Sequence, residues 1–109
     1  MTLMQMKYAI AVADTKSMNE AARSLFITQP SLSASIKELE NEIGVELFKR
    51  TNRGITVTPE GEEFLGYARQ VVEQYQLVED RYIEKKAMDT RRDRAEVAQE
   101  ILDSYDPAQ

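Results

Sequence analysis

Signals that begin an α-helix recur at Ser17, Thr28 and Thr58, and they divide the first part of the chain into short helices. Ser17 stands three residues before Glu20, which is the spacing of a capping box. Thr58 is followed by Pro59 and an acidic first turn, both of which favour the start of a helix. These helix-start signals limit the chain to short helices before residue 58 and a separate helix after it.

The signal at Thr28 begins a helix that ends at Gly44, because glycine favours the backbone conformation that closes a helix. Either Thr28 caps this helix, or Gln29 does so with Pro30 in the first helical position. The residue before a proline is pushed away from helical angles, so the pattern does not choose between the two caps. Apolar residues at steps of four, three and four predict the buried side of this third helix: Leu32, Ile36, Leu39 and Ile43.

Two shorter helices precede it. Apolar residues at helical spacing predict the buried side of a first helix that ends near Asp14: Leu3, Met6, Ile10 and Ala13. A second helix starts at about Met18, and its predicted inner face consists of Ala21, Ala22 and Leu25. The order is therefore three small helices before residue 45.

A short β-hairpin is predicted after the third helix. Apolar residues up to Phe48 precede the basic segment 49–54, and apolar and polar residues alternate again from Ile55. Two short strands around a turn containing Asn52, Arg53 and Gly54 account for this pattern. The hairpin is expected to pack on the core of its own domain.

The helix after Thr58 is long and carries a heptad-like apolar seam: Phe64, Ala68, Val71, Tyr75, Val78 and Tyr82. Three small helices cannot cover a seam of this length, so a partner helix and a homodimer are expected. The pattern weakens from Glu84 onwards. We therefore predict a domain at 1–58, a linker and dimerisation helix at 59–87, and a charged tail at 88–109 that is partly helical or disordered.

The formal net charge of −5 is unevenly distributed. Residues 1–58 carry a net charge of +1, whereas residues 59–109 carry −6. Within the first part, the acidic residues of the third helix cluster toward its far end, and its N-terminus offers free amides that favour phosphate. The overall acidity therefore does not exclude an anionic partner for residues 1–58.

The third helix also has a distinct outer face. At about 100° per residue, four residues lie roughly 100° to 200° away from Leu32 on the helical wheel: Ser33, Lys37, Pro30 and Ala34. These side chains are small, polar or lightly cationic. Such a face can approach another surface closely.

Catalytic chemistry has little support in the composition. The chain has no Cys and no His, which removes thiolate and imidazole metal ligands, cysteine nucleophiles and the commonest general base. The carboxylates are interpreted as solvated faces, so we predict no enzyme activity, catalytic residue, metal or cofactor. No secretory signal or membrane-spanning run is visible, so a cytoplasmic location is expected.

Several motifs together resemble the N-terminal DNA-binding domain of the LysR-type transcriptional regulators. The match runs in register from about Leu3 to Lys86, and these segments carry it: Ser17-Met18-Asn19-Glu20-Ala21-Ala22-Arg23-Ser24-Leu25, Thr28-Gln29-Pro30-Ser31-Leu32-Ser33, Leu39-Glu40, Gly44-Val45-Glu46-Leu47-Phe48-Lys49-Arg50 and Val57-Thr58-Pro59-Glu60-Gly61. The resemblance implies a mainly α fold, a winged helix-turn-helix with a three-helix core and a two-stranded wing. A long dimerisation linker helix follows in this family.

The resemblance also implies a mechanism. The third helix would enter the major groove of double-stranded DNA, the wing would follow the adjacent backbone or minor groove, and the linker helix would pair with its mate on an inverted-repeat site. Residue by residue, it suggests these DNA-binding candidates: Ser17, Thr28, Gln29, Pro30, Ser33, Ala34, Lys37, Arg50 and Arg53. Ser17 remains primarily a cap, so its phosphate contact would be secondary.

Two departures from the family pattern affect the expected function. Position 34 is often arginine in the family, whereas the short Ala34 allows only a contact with a thymine methyl group. The family's C-terminal effector-binding domain has no counterpart here, so no small-molecule effector site is expected in this chain. An alternative function follows from this second departure, namely a dimerisation module that captures full-length regulators as inhibitory heterodimers.

Overall fold

The computed structural model describes the backbone of residues 1–104 and the side chains of residues 1–83. Its elements, in chain order, are α1 (Leu3–Thr15), α2 (Met18–Leu25), α3 (Gln29–Ile43), β1 (Phe48–Thr51), β2 (Gly54–Val57) and α4 (Pro59–Ser104). Helices α2 and α3 form the helix-turn-helix, and β1 and β2 form the wing. The predicted fold class, a mainly helical winged helix-turn-helix followed by a long helix, is confirmed.

The contacts within the chain divide it into two units, Met1–Glu73 and Gln74–Gln109. The first unit holds the hydrophobic core, to which α1, α2, α3, the wing and the first turns of α4 contribute. Its largest fully buried side chains are Leu32, Ile36, Leu39, Leu47 and Val12. No helix in the part of the chain that the structure describes is long and apolar enough to cross a membrane.

The buried side of α1 differs from the predicted one. The buried residues are Gln5, Ala9 and Val12. The four predicted residues are only half-buried: Leu3, Met6, Ile10 and Ala13. Because α1 is apolar around most of its circumference, several faces satisfied the helical spacing, and packing against α2 and α3 selected another one.

The capping interactions of the first two helices also depart from prediction. Helix α1 begins with a complete capping box between Thr2 and Gln5 that was not predicted. At α2 only half of the predicted box forms. The half that forms is the hydrogen bond from the Glu20 amide to Ser17 Oγ, 3.2 Å long. The Ser17 amide donates instead to Thr15 Oγ1 at 3.3 Å. The Thr15 hydroxyl thus takes the place predicted for the Glu20 side chain.

The start of α3 resolves the choice between its two possible caps. Thr28 is the cap, with its hydroxyl accepting from the Ser31 amide at 3.3 Å. Gln29 and Pro30 are therefore the first two helical residues. The helix ends at Gly44, whose φ of 75° lies in the left-handed region that glycine tolerates.

The wing is a two-stranded antiparallel hairpin with Arg50 opposite Ile55 and Phe48 opposite Val57. Phe48 and Ile55 are buried. Because side chains alternate along a strand, Arg50 shares the inner face of the wing with Phe48, whereas Lys49 points to the outer face. The Ile55 amide donates to the carbonyl of Lys16 at 3.3 Å, which fixes the wing to the end of α1.

Helix α4 is attached to the first unit through its first turns. The Thr58 hydroxyl accepts from the Gly61 amide at 2.9 Å, as the predicted cap requires. Leu65 is buried in the core. Arg69 Nη2 lies 2.5 Å from Asp14 Oδ1, and this hydrogen bond to Asp14 raises the pKa of the Arg69 guanidinium above its usual value.

The backbone of α4 continues beyond the helix end predicted at residue 87 and is helical to Ser104. Residues 85–98 are rich in Lys, Arg and Ala, which have high helix propensity even where the apolar pattern is weak. The side chains of the predicted tail, and all of residues 105–109, lie outside the described residues. The division between a linker helix at 59–87 and a tail at 88–109 stays a prediction.

Candidate nucleic-acid interface

The outer face of α3, here called the recognition face, consists of Gln29, Pro30, Ser33, Ala34 and Lys37. Pro30, Ala34 and Lys37 are exposed, and Gln29 and Ser33 are half-buried. The opposite side of the helix is anchored in the core by three buried residues: Leu32, Ile36 and Leu39. The helix is therefore held firmly on one side while the other side is open to a partner.

A groove of about 240 Å³ brings together residues from α2, α3 and the wing. Ser17 at the start of α2, Gln29 at the start of α3 and Arg50 of β1 all line it. Lys16 and Asn19 line the same groove and were not among the predicted site residues. They lie on either side of the predicted cap Ser17 in the sequence, and this proximity could have identified them as neighbours of the same groove.

A second cavity, of about 400 Å³, lies between α3 and the wing. Ser33 and Lys37 from the recognition face line it together with Arg50. Two carboxylates, Glu40 and Glu46, line it as well. Arg50 therefore belongs to both cavities, and the electrostatic environment of the second one is mixed rather than uniformly positive.

Arg50 makes a direct contact with the recognition face. Its Nη2 atom donates a hydrogen bond to Ser33 Oγ at 3.2 Å. The two residues are 17 positions apart in the chain and belong to β1 and α3. Strand alternation places Arg50 on the inner face of the wing, and the packing of β1 against α3 brings it to Ser33.

Arg53 occupies a different position from Arg50. It lies in the turn between the two strands, where its side chain is exposed. Its backbone amide donates to Thr51 Oγ1 at 3.3 Å, which orders the turn. Arg53 lines neither of the two cavities and stands at the tip of the wing.

Two further predicted site residues already have structural partners. The Thr28 hydroxyl donates to Ser31 Oγ at 2.7 Å while it caps α3. Ser17 caps α2 in the same way, with its oxygen facing the Glu20 amide. Both side chains mark helix N-termini, where free amides and the helix dipole favour a negatively charged group.

Glu40, which belongs to the motif Leu39-Glu40, contacts the start of the wing. Its Oε2 atom accepts from the Leu47 amide at 2.6 Å and from the Phe48 amide at 3.5 Å. These amides lie at the start of the wing, so the carboxylate links the last turn of α3 to β1. The motif itself does not indicate this contact, because the contact depends on how the segment before β1 packs against α3.

The predicted seam of α4 divides according to burial. In the first unit Ala68 is buried, Phe64 is half-buried and Val71 is exposed. In the second unit Tyr75, Val78 and Tyr82 are all exposed. The core of the first unit thus covers the beginning of the seam, and the side chains of the seam from Val71 onwards are exposed.

Known proteins match this chain along the elements just described. The family model described as "Bacterial regulatory helix-turn-helix protein, lysR family" matches residues 3–62. The HTH-type transcriptional regulator AlsR of Bacillus subtilis is 47% identical over 74 residues, which are 68% of this chain and 24% of AlsR. TfdT of Cupriavidus pinatubonensis is 43% identical over 66% of this chain and 32% of its own. The chain therefore spans about a quarter to a third of these curated relatives.

Solved structures that resemble this chain include the DNA-binding domains of two regulators. A crystal structure of a CbnR DBD–DNA complex has a TM-score of 0.71 and 37% identity, and the match covers 79% of this chain and 99% of that one. A BenM DBD complex with catB site 1 DNA has a TM-score of 0.66 and 34% identity, over 84% and 94% of the two chains. The chain therefore belongs to the lysR family of bacterial regulatory helix-turn-helix proteins.

Proposed function

We propose that this chain binds double-stranded DNA sequence-specifically as the DNA-binding region of a dimeric transcriptional regulator. The observation that carries the proposal is the open recognition face of α3 beside a wing that presents Arg50 and Arg53. The major groove is wide enough to admit an α-helix, and the small side chains at Ser33 and Ala34 allow a close approach. Similar chains have been solved in complex with DNA, which supports DNA binding by this chain.

The side chains of the proposed interface differ in what they can read. Gln29 has the donor and acceptor needed for a bidentate contact with adenine, and Ala34 can contact a thymine methyl group. Lys37 and Arg53 supply positive charge for phosphates or for the minor groove. Ser17 and Thr28 offer helix N-termini to the phosphate backbone. The mechanism is binding without catalysis.

Dimerisation through α4 is part of the proposal. The later residues of the apolar seam, Tyr75, Val78 and Tyr82, are exposed and recur at steps of three and four. A matching helix from a second copy would cover them, as in other heptad-patterned helices. A two-fold dimer presents two recognition helices, so its site is an inverted repeat with half-sites one helical turn, or a multiple of it, apart.

The proposal is tested by selecting bound duplexes from a random-sequence library and titrating the selected inverted repeat with the purified chain at low salt. We expect saturable binding that is tighter than binding to a shuffled duplex of the same composition. Equal affinity for the selected and shuffled duplexes would contradict sequence-specific binding.

Gln29 and Arg53 should differ in their effects on binding. Gln29→Ala is expected to change which base is preferred at one position of each half-site, because it removes hydrogen bonds to a base edge. Arg53→Ala is expected to weaken binding to all duplexes and to reduce the slope of log affinity against log salt by about one per lost phosphate contact. Titrations of the selected duplex and its single-position variants at several salt concentrations measure both effects. Identical profiles for the two variants would contradict this division of roles.

The exposed seam also favours a second candidate function, the capture of full-length relatives as inhibitory heterodimers. Tyr75, Val78 and Tyr82 would pair equally well with a similar helix on another regulator. Sedimentation of the chain alone, and mixed with a full-length relative, separates the two functions. A stable homodimer that does not exchange with the relative favours direct DNA binding, whereas a mixed species that no longer binds the relative's DNA favours capture.

A further inference from the structure

We infer that Arg50 is a positioning residue for base recognition, which acts through the hydroxyl of Ser33. This inference rests on the proposed function and deepens it. Its basis is the hydrogen bond from Arg50 Nη2 to Ser33 Oγ, 3.2 Å long, which connects the wing to the recognition face. Ser33 thereby becomes a polarised hydrogen-bond donor toward the major groove.

The chemistry follows from the atoms of a hydroxyl group. A serine hydroxyl has one donor hydrogen and two acceptor lone pairs, and without a neighbour it can rotate to serve either role. Arg50 has only donors, so it uses one lone pair of Ser33 Oγ and leaves the hydrogen free to point elsewhere. The positive guanidinium behind the oxygen also disfavours a second donor from the opposite side.

The distinction between donor and acceptor is a distinction between bases. In the major groove guanine presents N7 and O6 as acceptors, adenine presents N7, and thymine presents O4, whereas cytosine presents an amino donor. A Ser33 hydroxyl that is held as a donor therefore favours guanine, adenine or thymine at the contacted position. Cytosine is the base that it disfavours.

The surroundings of Arg50 favour this role over a phosphate contact. Arg50 lies on the inner face of the wing, opposite the buried Ile55 in the strand register. Two carboxylates, Glu40 and Glu46, line the same cavity and offset the positive charge of Arg50 and Lys37, which weakens its attraction for a phosphate group. Arg50 and Arg53 are both exposed, but Arg53 stands at the tip of the turn and does not line the cavity that contains these carboxylates, so it is the better phosphate ligand of the two.

The test is a double-mutant cycle on the 109-residue chain with the selected duplex and its single-position variants. Ser33→Ala first identifies the base position that Ser33 contacts. Arg50→Ala is expected to reduce discrimination against cytosine at that position by about 5-fold, the size of one hydrogen bond. It should leave the other positions and the salt slope unchanged. In the Ser33→Ala background it should have no further effect on base preference.

Two further variants complete the design. Arg50→Lys keeps a charged donor and is expected to restore part of the discrimination, which a purely structural role of Arg50 does not predict. Lys49→Ala removes a positive charge from the neighbouring, outward-facing position and should leave base preference as in the original chain. The inference is overturned if Arg50→Ala weakens all duplexes equally and lowers the salt slope by about one, because that result identifies a phosphate contact. Failure of the original chain to prefer any duplex would instead remove the proposed function itself, and the inference with it.

Discussion

Replacing Gly61 with alanine is expected to lower the free energy of unfolding of the first unit by about 2 kcal/mol, within the range for overpacked sites. A Cβ at this position would lie 2.4 Å from the carbonyl oxygen of Leu47 and 2.9 Å from Val57 Cγ1. The Leu47 oxygen is backbone and cannot rotate away, so α4 or the segment before β1 must move. Urea unfolding at a fixed protein concentration measures the loss.

Gly66 is the matched control for this change. It lies in the same helix, but a Cβ there meets nothing within 4 Å. Gly66→Ala is therefore expected to stabilise the chain by about 0.5–1 kcal/mol, because alanine is the better helix former. If both variants lowered stability equally, the close packing of Gly61 on Leu47 would not be the cause.

Local signals account for most of what the sequence predicted about the fold. The caps at Ser17 and Thr58, the glycine at position 44 and the hairpin turn depend on residues close in the chain, and each appears in the structure. The prediction of the buried side of α1 was wrong. Apolar residues surround this helix, so only tertiary packing determines that Ala9 and Val12 are buried. Local propensity decides where helices begin, whereas packing decides which face they bury.

The candidate site shows the same limit. The wheel of α3 identified its outer face from spacing alone, and the observed exposure of Pro30, Ala34 and Lys37 agrees with it. Contacts between α3 and the wing were not predictable, because the pairs Ser33–Arg50 and Glu40–Leu47 depend on how β1 packs against α3. The orientation of Arg50 could nevertheless be predicted from the sequence. Residues two apart in a strand share a face, so Arg50 lies on the same face as the buried Phe48.

Val78→Glu is expected to convert a dimer into a monomer and to lower affinity for the inverted repeat by about 100-fold. In a dimer, binding of one recognition helix brings the other close to the second half-site, and a monomer loses this high effective concentration. Val78 is 55% exposed in the described chain and belongs to the apolar seam with Tyr75 and Tyr82. In a two-fold dimer the change brings two carboxylates into an apolar interface, where charges without partners are strongly disfavoured. Sedimentation velocity and titration of the inverted repeat measure the two effects, and affinity for a single half-site should stay unchanged.

Leu77→Glu provides the control, because it introduces the same charge at the adjacent position. Leu77 is also 55% exposed, but it lies at least about 100° around the helix axis from Tyr75, Val78 and Tyr82. If the seam is the interface, Leu77→Glu leaves the dimer and its affinity for the inverted repeat intact, because the introduced carboxylate remains in water. If the Leu77 variant dissociates and the Val78 variant does not, the second copy packs on another side of α4 and the heptad interpretation of the seam is wrong.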